Sequence, residues 1–268
     1  MPSTELSALV ETWWRSAQDL VALLDDLPES DFARPTDLAG WDVRAVAGHV
    51  AHLESILVGG PHETADVPSA PHITGPMSAF TEIGVLNRRD HTGAEIAREI
   101  GEITARRHAA LLADPPGDPD APAPGVFGAL GWSMRTLLRN RPLDVWMHEQ
   151  DIRRAVGRPG GMDTPPARHV VEYLSESLGF VLGKKCDLTP GTTVTLDVDG
   201  HVTTATVDDA GRGRLLPEPP AGGLRITTDR ESFILRAGGR REVPMDRFAV
   251  VGDHDLATRI VAALAVTP

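Results

Sequence analysis

The sequence is poor in the residues and patterns that define several large protein classes. Its 268 residues include one cysteine, Cys186, which excludes an intrachain disulfide framework, a cysteine-rich zinc site and a dithiol redox cycle. No apolar run approaches the roughly 18 residues of a membrane span, and the first residues lack the basic and apolar segments of a signal peptide. We therefore expect a cytoplasmic protein with no membrane association.

Positive charge is also scarce, with 26 Lys and Arg against 38 Asp and Glu and a formal net charge of −12. Polyanions would be repelled by this chain, so neither nucleic acid nor an anionic membrane is an expected partner. The sequence contains no glycine-rich nucleotide loop after a strand, no Walker loop and no nucleophile elbow. Nucleotide-binding and serine-hydrolase functions therefore have no support.

What the sequence does contain is a hydrophobic fraction of 41%, enough for a buried core, and long helical patterns in its first 185 residues. Apolar residues at three- and four-residue intervals predict helices over 3–27, 42–57, 92–113, 134–156 and 165–182, with a shorter helix over 76–89. Pro142 predicts a bend or restart within the helix 134–156, and Gly157 predicts its end. Residues 58–75 and 114–125 are rich in proline and glycine and predict loops.

After residue 185 the periodicity changes from helical to alternating. Thr192–Asp199 and Val202–Val207 alternate on either side of Gly200, which predicts a β-hairpin. Further strands are predicted over 224–228 and 248–251, with helices over 230–236 and 255–264. The fold class expected is therefore multi-domain, with an all-α helical bundle over 1–185 and a small α+β domain over 186–268.

Candidate metal ligands are polar residues on apolar helical faces, because bundles hold metals with side chains that project inward from facing helices. At about 100° per residue, His49 falls within the apolar arc of the helix 42–57. Glu54 falls on the same arc as a second polar residue, whereas His52 falls just outside it. His49 is thus the first candidate ligand, and a hydrogen-bonded core histidine is its plainer interpretation.

The helix 134–156 carries a second candidate, His148, within its apolar arc and beside Asp144 and Asp151. Asp144 precedes His148 by four residues, so the two side chains share a helical face. The pair alone also fits an aspartate that orients a buried histidine without metal. Together with His49 it matches the three ligands and open position of catalytic zinc, and the pattern leaves both interpretations open.

Three other features have ordinary explanations as well as functional ones. Cys186, at the junction of the predicted domains, is expected to be a small buried residue rather than a nucleophile. The histidines of predicted loops, His62, His72 and His91, are expected to be exposed, although the loop with the first two could cover a site. Arg236–Arg241 could present a guanidinium to a carboxylate or form a solvated turn.

Two motifs and the C-terminal tail resemble the mycothiol-dependent maleylpyruvate isomerase family, relatives of the DinB-like metal-binding bundles. Gly40–His49 is similar to the family's G-W-x-V-R opening, which ends in a histidine. Asp144–Arg153 is similar to its second signature, in which an acidic residue precedes a histidine by four positions and D-I-R follows. The tail 233–268 is similar to its sterol-carrier-like C-terminal domain. The resemblance implies a DinB-like antiparallel four-helix bundle with a small α+β domain behind it.

The resemblance also implies site residues and chemistry. It places zinc ligands at His49, Asp144 and His148, with Asp144 where the family's founding activity has Glu, and an activity-linked arginine at Arg240, with Arg236 as the alternative. It implies that zinc holds the thiol of mycothiol, the small thiol of actinobacteria, as a thiolate. The thiolate would serve cis–trans isomerisation of a maleylpyruvate-like unsaturated acid or S-transfer to an electrophile.

Two other classes of function remain open on the sequence. The same three ligands could serve a hydrolase that uses zinc-bound water, without any thiol. A non-enzymatic protein could keep the bundle and hold a small ligand in its second domain. The Ala-, Arg-, Gly- and Pro-rich composition is compatible with an actinobacterial source. The oligomeric state is not predicted.

Overall fold

The computed structural model describes residues 3–220 and 222–267. The chain divides into two compact units, Met1–Pro166 and Ala167–Pro268. The first is helical and the second contains a small mixed sheet with helices, which confirms the predicted fold class. The division comes earlier in the chain than residue 185, so most of the predicted helix 165–182 belongs to the second unit. The boundary at 185 stays a prediction.

The first unit is built on four long helices with two shorter ones beside them. In chain order they are α1 (Thr4–Asp25), α2 (Val43–Leu57), α3 (Pro76–Arg88), α4 (Gly93–Ala113), α5 (Gly125–Ala129) and α6 (Met134–Val156). Helices α1 and α2 each pack against both α4 and α6, and α3 packs against α2. The N-cap side chains of α1, α2, α4 and α6 accept backbone N–H groups of the first turn, which explains where these helices begin.

Two glycines allow α2 and α3 to approach closely. A Cβ at Gly84 would lie 2.2 Å from Cβ of His52, and a Cβ at Gly48 would lie 3.3 Å from Cβ of Arg88. His52 lies just outside the apolar arc of α2, as the helical wheel indicates, yet it is only 2% exposed because α3 covers that side. The buried face of α2 is wider than its apolar residues alone indicate.

Three further details of the first unit differ from the sequence predictions. A short 3-10 helix, Glu29–Ala33, and α5 both lie in segments for which no helix was predicted. Helix α6 is continuous through Pro142, so of the predicted bend or restart the restart does not occur. The predicted end of α6 at Gly157 is confirmed, and its φ of 69° is the left-handed conformation that glycine adopts without strain.

The second unit consists of a five-stranded sheet and its helices. The helices are α7 (Pro165–Glu176), α8 (Leu178–Phe180), a π-helical turn over Val181–Lys185, α9 (Arg230–Ala237) and α10 (His254–Ala263). The strands are β1 (Thr193–Val198), β2 (His201–Val207), β3 (Gly213–Leu216), β4 (Leu224–Thr228) and β5 (Ala249–Val251), arranged in the order β3-β2-β1-β4-β5. Strands β1 and β4 are parallel and the other neighbours are antiparallel. The predicted hairpin over β1 and β2 is confirmed, whereas β3 was not predicted.

Within the described part of the chain, no helix combines the length and apolar character needed to cross a membrane.

Candidate metal centre

Three side chains from two helices of the first unit converge on one point. His49 comes from α2, and Asp144 and His148 come from successive turns of α6. Nε2 of His49 lies 3.7 Å from Oδ1 of Asp144, and Nε2 of His148 lies 3.6 Å from the same oxygen. The two imidazole rings meet edge to face, with their centroids 4.8 Å apart. The structure thus brings together the three residues that the sequence nominated as ligands.

These distances fit a metal ion better than they fit direct hydrogen bonds. A hydrogen bond would place the heavy atoms about 2.7–3.2 Å apart. Ligand atoms on a tetrahedral zinc with bonds of about 2.0–2.1 Å lie about 3.3 Å from one another. Two imidazole nitrogens and one carboxylate oxygen are a ligand set that zinc accepts. All three ligand atoms lie within 4.8 Å of one another, so the side chains would move closer together to reach this spacing.

His148 is oriented by a second carboxylate. Its Nδ1 lies 3.2 Å from Oδ2 of Asp151, which is fully buried. Oδ1 of Asp151 accepts a hydrogen bond from Nη2 of Arg154 at 2.6 Å, and Nε of Arg154 donates to Asp37 at 3.1 Å. A proton on Nδ1 directed at Asp151 leaves the lone pair of Nε2 for a metal.

Asp151 is therefore a partner of the cluster rather than a member of it. Among the described residues, His49, Asp144 and His148 form the one group of three or more His, Cys, Asp or Glu whose ligand atoms converge closely enough for a metal. His52 and Glu54, which the sequence left as candidates, lie outside this group.

The protonation states at the cluster suit metal binding. Burial alone would raise the pKa of Asp144, but the Arg141 guanidinium and the two imidazoles outweigh it and hold that pKa well below its usual value. Burial lowers the pKa of His49, and the attraction of Asp144 offsets only part of this effect. An ionised carboxylate and a neutral imidazole are the forms that coordinate a metal.

A network of buried charges lies beside the cluster and was not predicted. Glu54 is fully buried on α2 and is contacted by Arg141, Arg107 and Trp13. The sequence placed Glu54 on the apolar face of its helix but gave no partner for it. On a helical wheel of α6, Arg141 lies about 20° from His148. The helical spacing that placed His148 on the buried face could therefore have identified Arg141 as buried too.

Trp41 forms one side of the cluster. Its ring centroid lies 5.0 Å from that of His49 and 6.3 Å from that of His148. Its Nε1 donates to Oε2 of Glu82 on α3 at 2.9 Å, and Nε2 of His72 lies 3.3 Å from the same oxygen. The loop over 58–75 is therefore linked through His72 and Glu82 to the Trp41 ring beside the cluster. That this loop covers the site stays a prediction.

The remaining candidate residues belong to the second unit. Arg236 donates from Nε to the carbonyl of Val261 at 2.7 Å and pairs with Glu242 at 2.8 Å, so its guanidinium holds α9 to α10. Arg240 follows α9, and its Nη1 donates to the carbonyl of Gly238 at 2.6 Å. Cys186 is buried, and burial raises the pKa of its thiol, so the reactive thiolate is disfavoured.

Comparisons with known proteins agree with this arrangement. The family model described as "Mycothiol maleylpyruvate isomerase N-terminal domain" matches residues 13–153, a range that contains all three residues of the cluster. No curated protein matches the sequence.

Two solved structures share the fold. A mycothiol-dependent maleylpyruvate isomerase has a TM-score of 0.55 and 15% identity, and the match covers 91% of this chain and 92% of that chain. A point mutant of such an isomerase has a TM-score of 0.54 and 14% identity, with the same coverage of both chains. The likeness extends over both compact units and, at this identity, is one of fold.

The match over residues 13–153 covers more than half of the 268 residues. It confirms the resemblance carried by the segments Gly40–His49 and Asp144–Arg153, and the chain therefore belongs to the family of the mycothiol maleylpyruvate isomerase N-terminal domain.

Proposed function

We propose that this protein is a zinc-dependent enzyme that uses mycothiol to isomerise a small unsaturated acid. The convergence of His49, Asp144 and His148 in a chain of this family carries the proposal. When bound, zinc would supply a position at which the mycothiol sulfur is held as a thiolate, the nucleophile that adds to an activated double bond and leaves again after rotation. A cytoplasmic setting is part of the proposal, since the enzyme must meet its thiol there.

The protein's own residues would prepare this site before any ligand arrives. Asp151 holds the ring of His148, so Nε2 faces the proposed metal position. Burial keeps His49 neutral and its surroundings keep Asp144 ionised. The three side chains leave one position of a tetrahedral site open for an external ligand. Trp41 bounds the site with an apolar ring and limits the access of water on that side.

The sulfur must come from outside the chain. Cys186 is the only cysteine, and its buried thiol has a raised pKa. A free thiol near pKa 8.5 is only slightly ionised at neutral pH, whereas coordination to a metal deprotonates it. The activity should therefore require added mycothiol and survive the substitution Cys186→Ala.

We further propose that Arg240 binds the carboxylate of the substrate. A guanidinium binds a carboxylate through two parallel hydrogen bonds, which suits an acid substrate. Arg236 is less suited, because its side chain is buried between α9 and α10, whereas Arg240 is partly exposed. Arg240→Lys should therefore raise KM more than it lowers kcat, and Arg241→Lys is the matched control.

The central experiment combines metal, thiol and turnover. The purified protein should contain close to one equivalent of zinc by elemental analysis, and His148→Ala should lose it while the exposed His254→Ala should retain it. With cobalt in place of zinc, mycothiol should produce a thiolate-to-metal charge-transfer band. Maleylpyruvate should then be isomerised only when mycothiol is present.

The other possible outcomes identify the other functions. A stable conjugate of mycothiol with an electrophile, without isomerisation, would indicate S-transfer. Hydrolysis that runs equally well without thiol, with no charge-transfer band, would indicate a metal hydrolase. A protein that neither takes up metal nor binds mycothiol would contradict an enzymatic role for this cluster.

A further inference from the structure

A single guanidinium lies between two carboxylates in the helical unit. Arg141 is fully buried on α6, one turn before Asp144. Its Nε and Nη2 donate to Oε1 of Glu54 at 3.0 and 2.8 Å, and Nη2 also lies 3.0 Å from Oδ2 of Asp144. The contact with Asp144 is an ion pair rather than an aligned hydrogen bond. Arg141 thus connects the proposed metal ligand to a carboxylate on α2.

Glu54 is held firmly on its other sides. Oε2 accepts a hydrogen bond from Nη1 of Arg107 on α4 at 2.6 Å, and Oε1 accepts one from Nε1 of Trp13 on α1 at 3.0 Å. The Arg107 guanidinium stacks 4.3 Å above the Trp13 ring. Because Glu54 is fixed by three helices, the guanidinium of Arg141 that it binds is fixed as well.

The two oxygens of Asp144 consequently have different surroundings. Oδ2 faces the Arg141 guanidinium, whereas Oδ1 faces Nε2 of both His49 and His148. A carboxylate can bind a metal through one oxygen or through both. The second oxygen of Asp144 thus faces a positive charge that is held by its hydrogen bonds to Glu54.

We infer that Arg141 is a positioning residue that makes Asp144 bind the metal through one oxygen only. The inference rests on the proposed function, since it concerns the same metal centre. A single oxygen from Asp144 and one nitrogen from each histidine leave the fourth tetrahedral position for the thiol. An Asp144 bound through both oxygens would occupy part of that space and weaken thiol binding.

The charges of the network support the same role. Arg107 and Arg141 balance Glu54 and Asp144, so these four groups are neutral as a set. These four groups would therefore leave the charge of a divalent metal uncompensated, which favours an anionic ligand at the open position. Arg141 thereby helps the site to select a thiolate over neutral water.

The test uses the full-length protein loaded with cobalt, and compares Arg141→Lys with Arg107→Lys. Lysine keeps the charge but cannot contact two carboxylates as a planar guanidinium does. Both variants disturb Glu54, whereas only Arg141→Lys releases Oδ2 of Asp144. Arg107→Lys is therefore the matched control for any loss of stability. Circular dichroism establishes that each variant is folded.

We expect Arg141→Lys to shift the cobalt d–d absorption to the weaker bands of a higher coordination number. It should also lower the affinity for mycothiol by about tenfold or more, in the range typical of residues that support metal ligands. Arg107→Lys should retain the spectrum and thiol affinity of the unaltered protein. As a second measurement on the unaltered zinc protein, infrared difference spectra should show the wide carboxylate splitting of one-oxygen binding.

Two results would overturn the inference without affecting the proposed function. One is an Arg141→Lys protein with the cobalt spectrum and mycothiol affinity of the unaltered protein. The other is a carboxylate splitting in the unaltered protein that is typical of binding through both oxygens. Failure of the unaltered protein to take up cobalt at all would instead contradict the proposed function, and the inference with it.

Discussion

Nδ1 of His148 lies 3.2 Å from Oδ2 of the buried Asp151, while Nε2 of the same ring faces Asp144 at 3.6 Å. The two nitrogens of one imidazole are therefore assigned to two different carboxylates. The first carboxylate orients the ring, and the second shares with it the proposed metal position.

Asp151→Asn tests this division of roles. Asparagine keeps the size of the side chain but removes the negative charge that orients and polarises the ring, so zinc affinity should fall by about 10–100-fold. Competition with a chromophoric chelator measures the change. Asp209→Asn, at an exposed position of the second unit, is the control and should have no effect. Equal zinc affinity in both variants would show that Asp151 has no part in metal binding.

Glu54→Gln tests the buried charge network. The substitution leaves Arg107 and Arg141 buried without their shared anion, so the free energy of unfolding should fall by about 3–5 kcal/mol. Glu5→Gln removes an exposed partner of Arg135 and should cost at most about 1 kcal/mol. Urea unfolding monitored by circular dichroism measures both. A Glu54→Gln protein as stable as Glu5→Gln would contradict a structural role for the network.

The stability of the metal-free protein should fall as the pH drops below about 6.5. Burial lowers the pKa of both His49 and His52 in the folded state. The unfolded chain then binds more protons than the folded one below the ordinary histidine value of about 6.5, so acid favours unfolding. In this range each histidine lowers the free energy of unfolding by up to about 1.4 kcal/mol for every pH unit of acidification.

Urea unfolding at pH 7.5, 6.5 and 5.5 measures this slope. His49→Gln and His52→Gln should each reduce it, whereas the exposed His254→Gln should leave it unchanged. Asp144 and Glu54 have lowered pKa values, so their contributions are lost only at more acidic pH, as the pH falls through those lowered values. A free energy of unfolding that stays constant from pH 7.5 to 5.5 would contradict the neutral, buried state of the two histidines.

Trp41 should report metal binding. Its ring lies 5.0 Å from His49, close enough for a bound cobalt ion to quench its fluorescence strongly. Trp41→Phe should therefore remove most of the quenching that cobalt causes in the unaltered protein. Trp14→Phe is the control, because Trp14 stacks on His108 in another part of the unit. Quenching that persists in Trp41→Phe would place the metal elsewhere.

The helical periodicity predicted most of the first unit correctly. Helices α1, α2, α4 and α6 have regular apolar spacing and capping residues, so their positions follow from the local sequence. Strand β3 was missed because its sequence, Gly-Arg-Leu-Leu, has no alternation and lies at the edge of the sheet. Short helices such as α5 have too few residues for a periodic pattern.

The proposed site was predictable in part for a related reason. The spacing on α2 and α6 determines which face carries His49, Asp144 and His148, and the structure brings these faces together. Spacing alone does not specify which buried charges meet across the unit. The contacts of Glu54 with Arg107 and Arg141 depend on packing between three helices, far apart in sequence.

The contacts of Glu54 also bear on how the first unit folds. Trp13, Arg107 and Arg141 reach this one carboxylate from α1, α4 and α6, while Glu54 itself belongs to α2. A folding intermediate that lacks any one of these helices would leave a charged group of this cluster without its partner. An unpaired charge in a low-dielectric interior raises the free energy of such an intermediate. The four helices are thereby coupled into a single cooperative unit, whose slowest-exchanging amides should share one opening free energy in native-state hydrogen exchange.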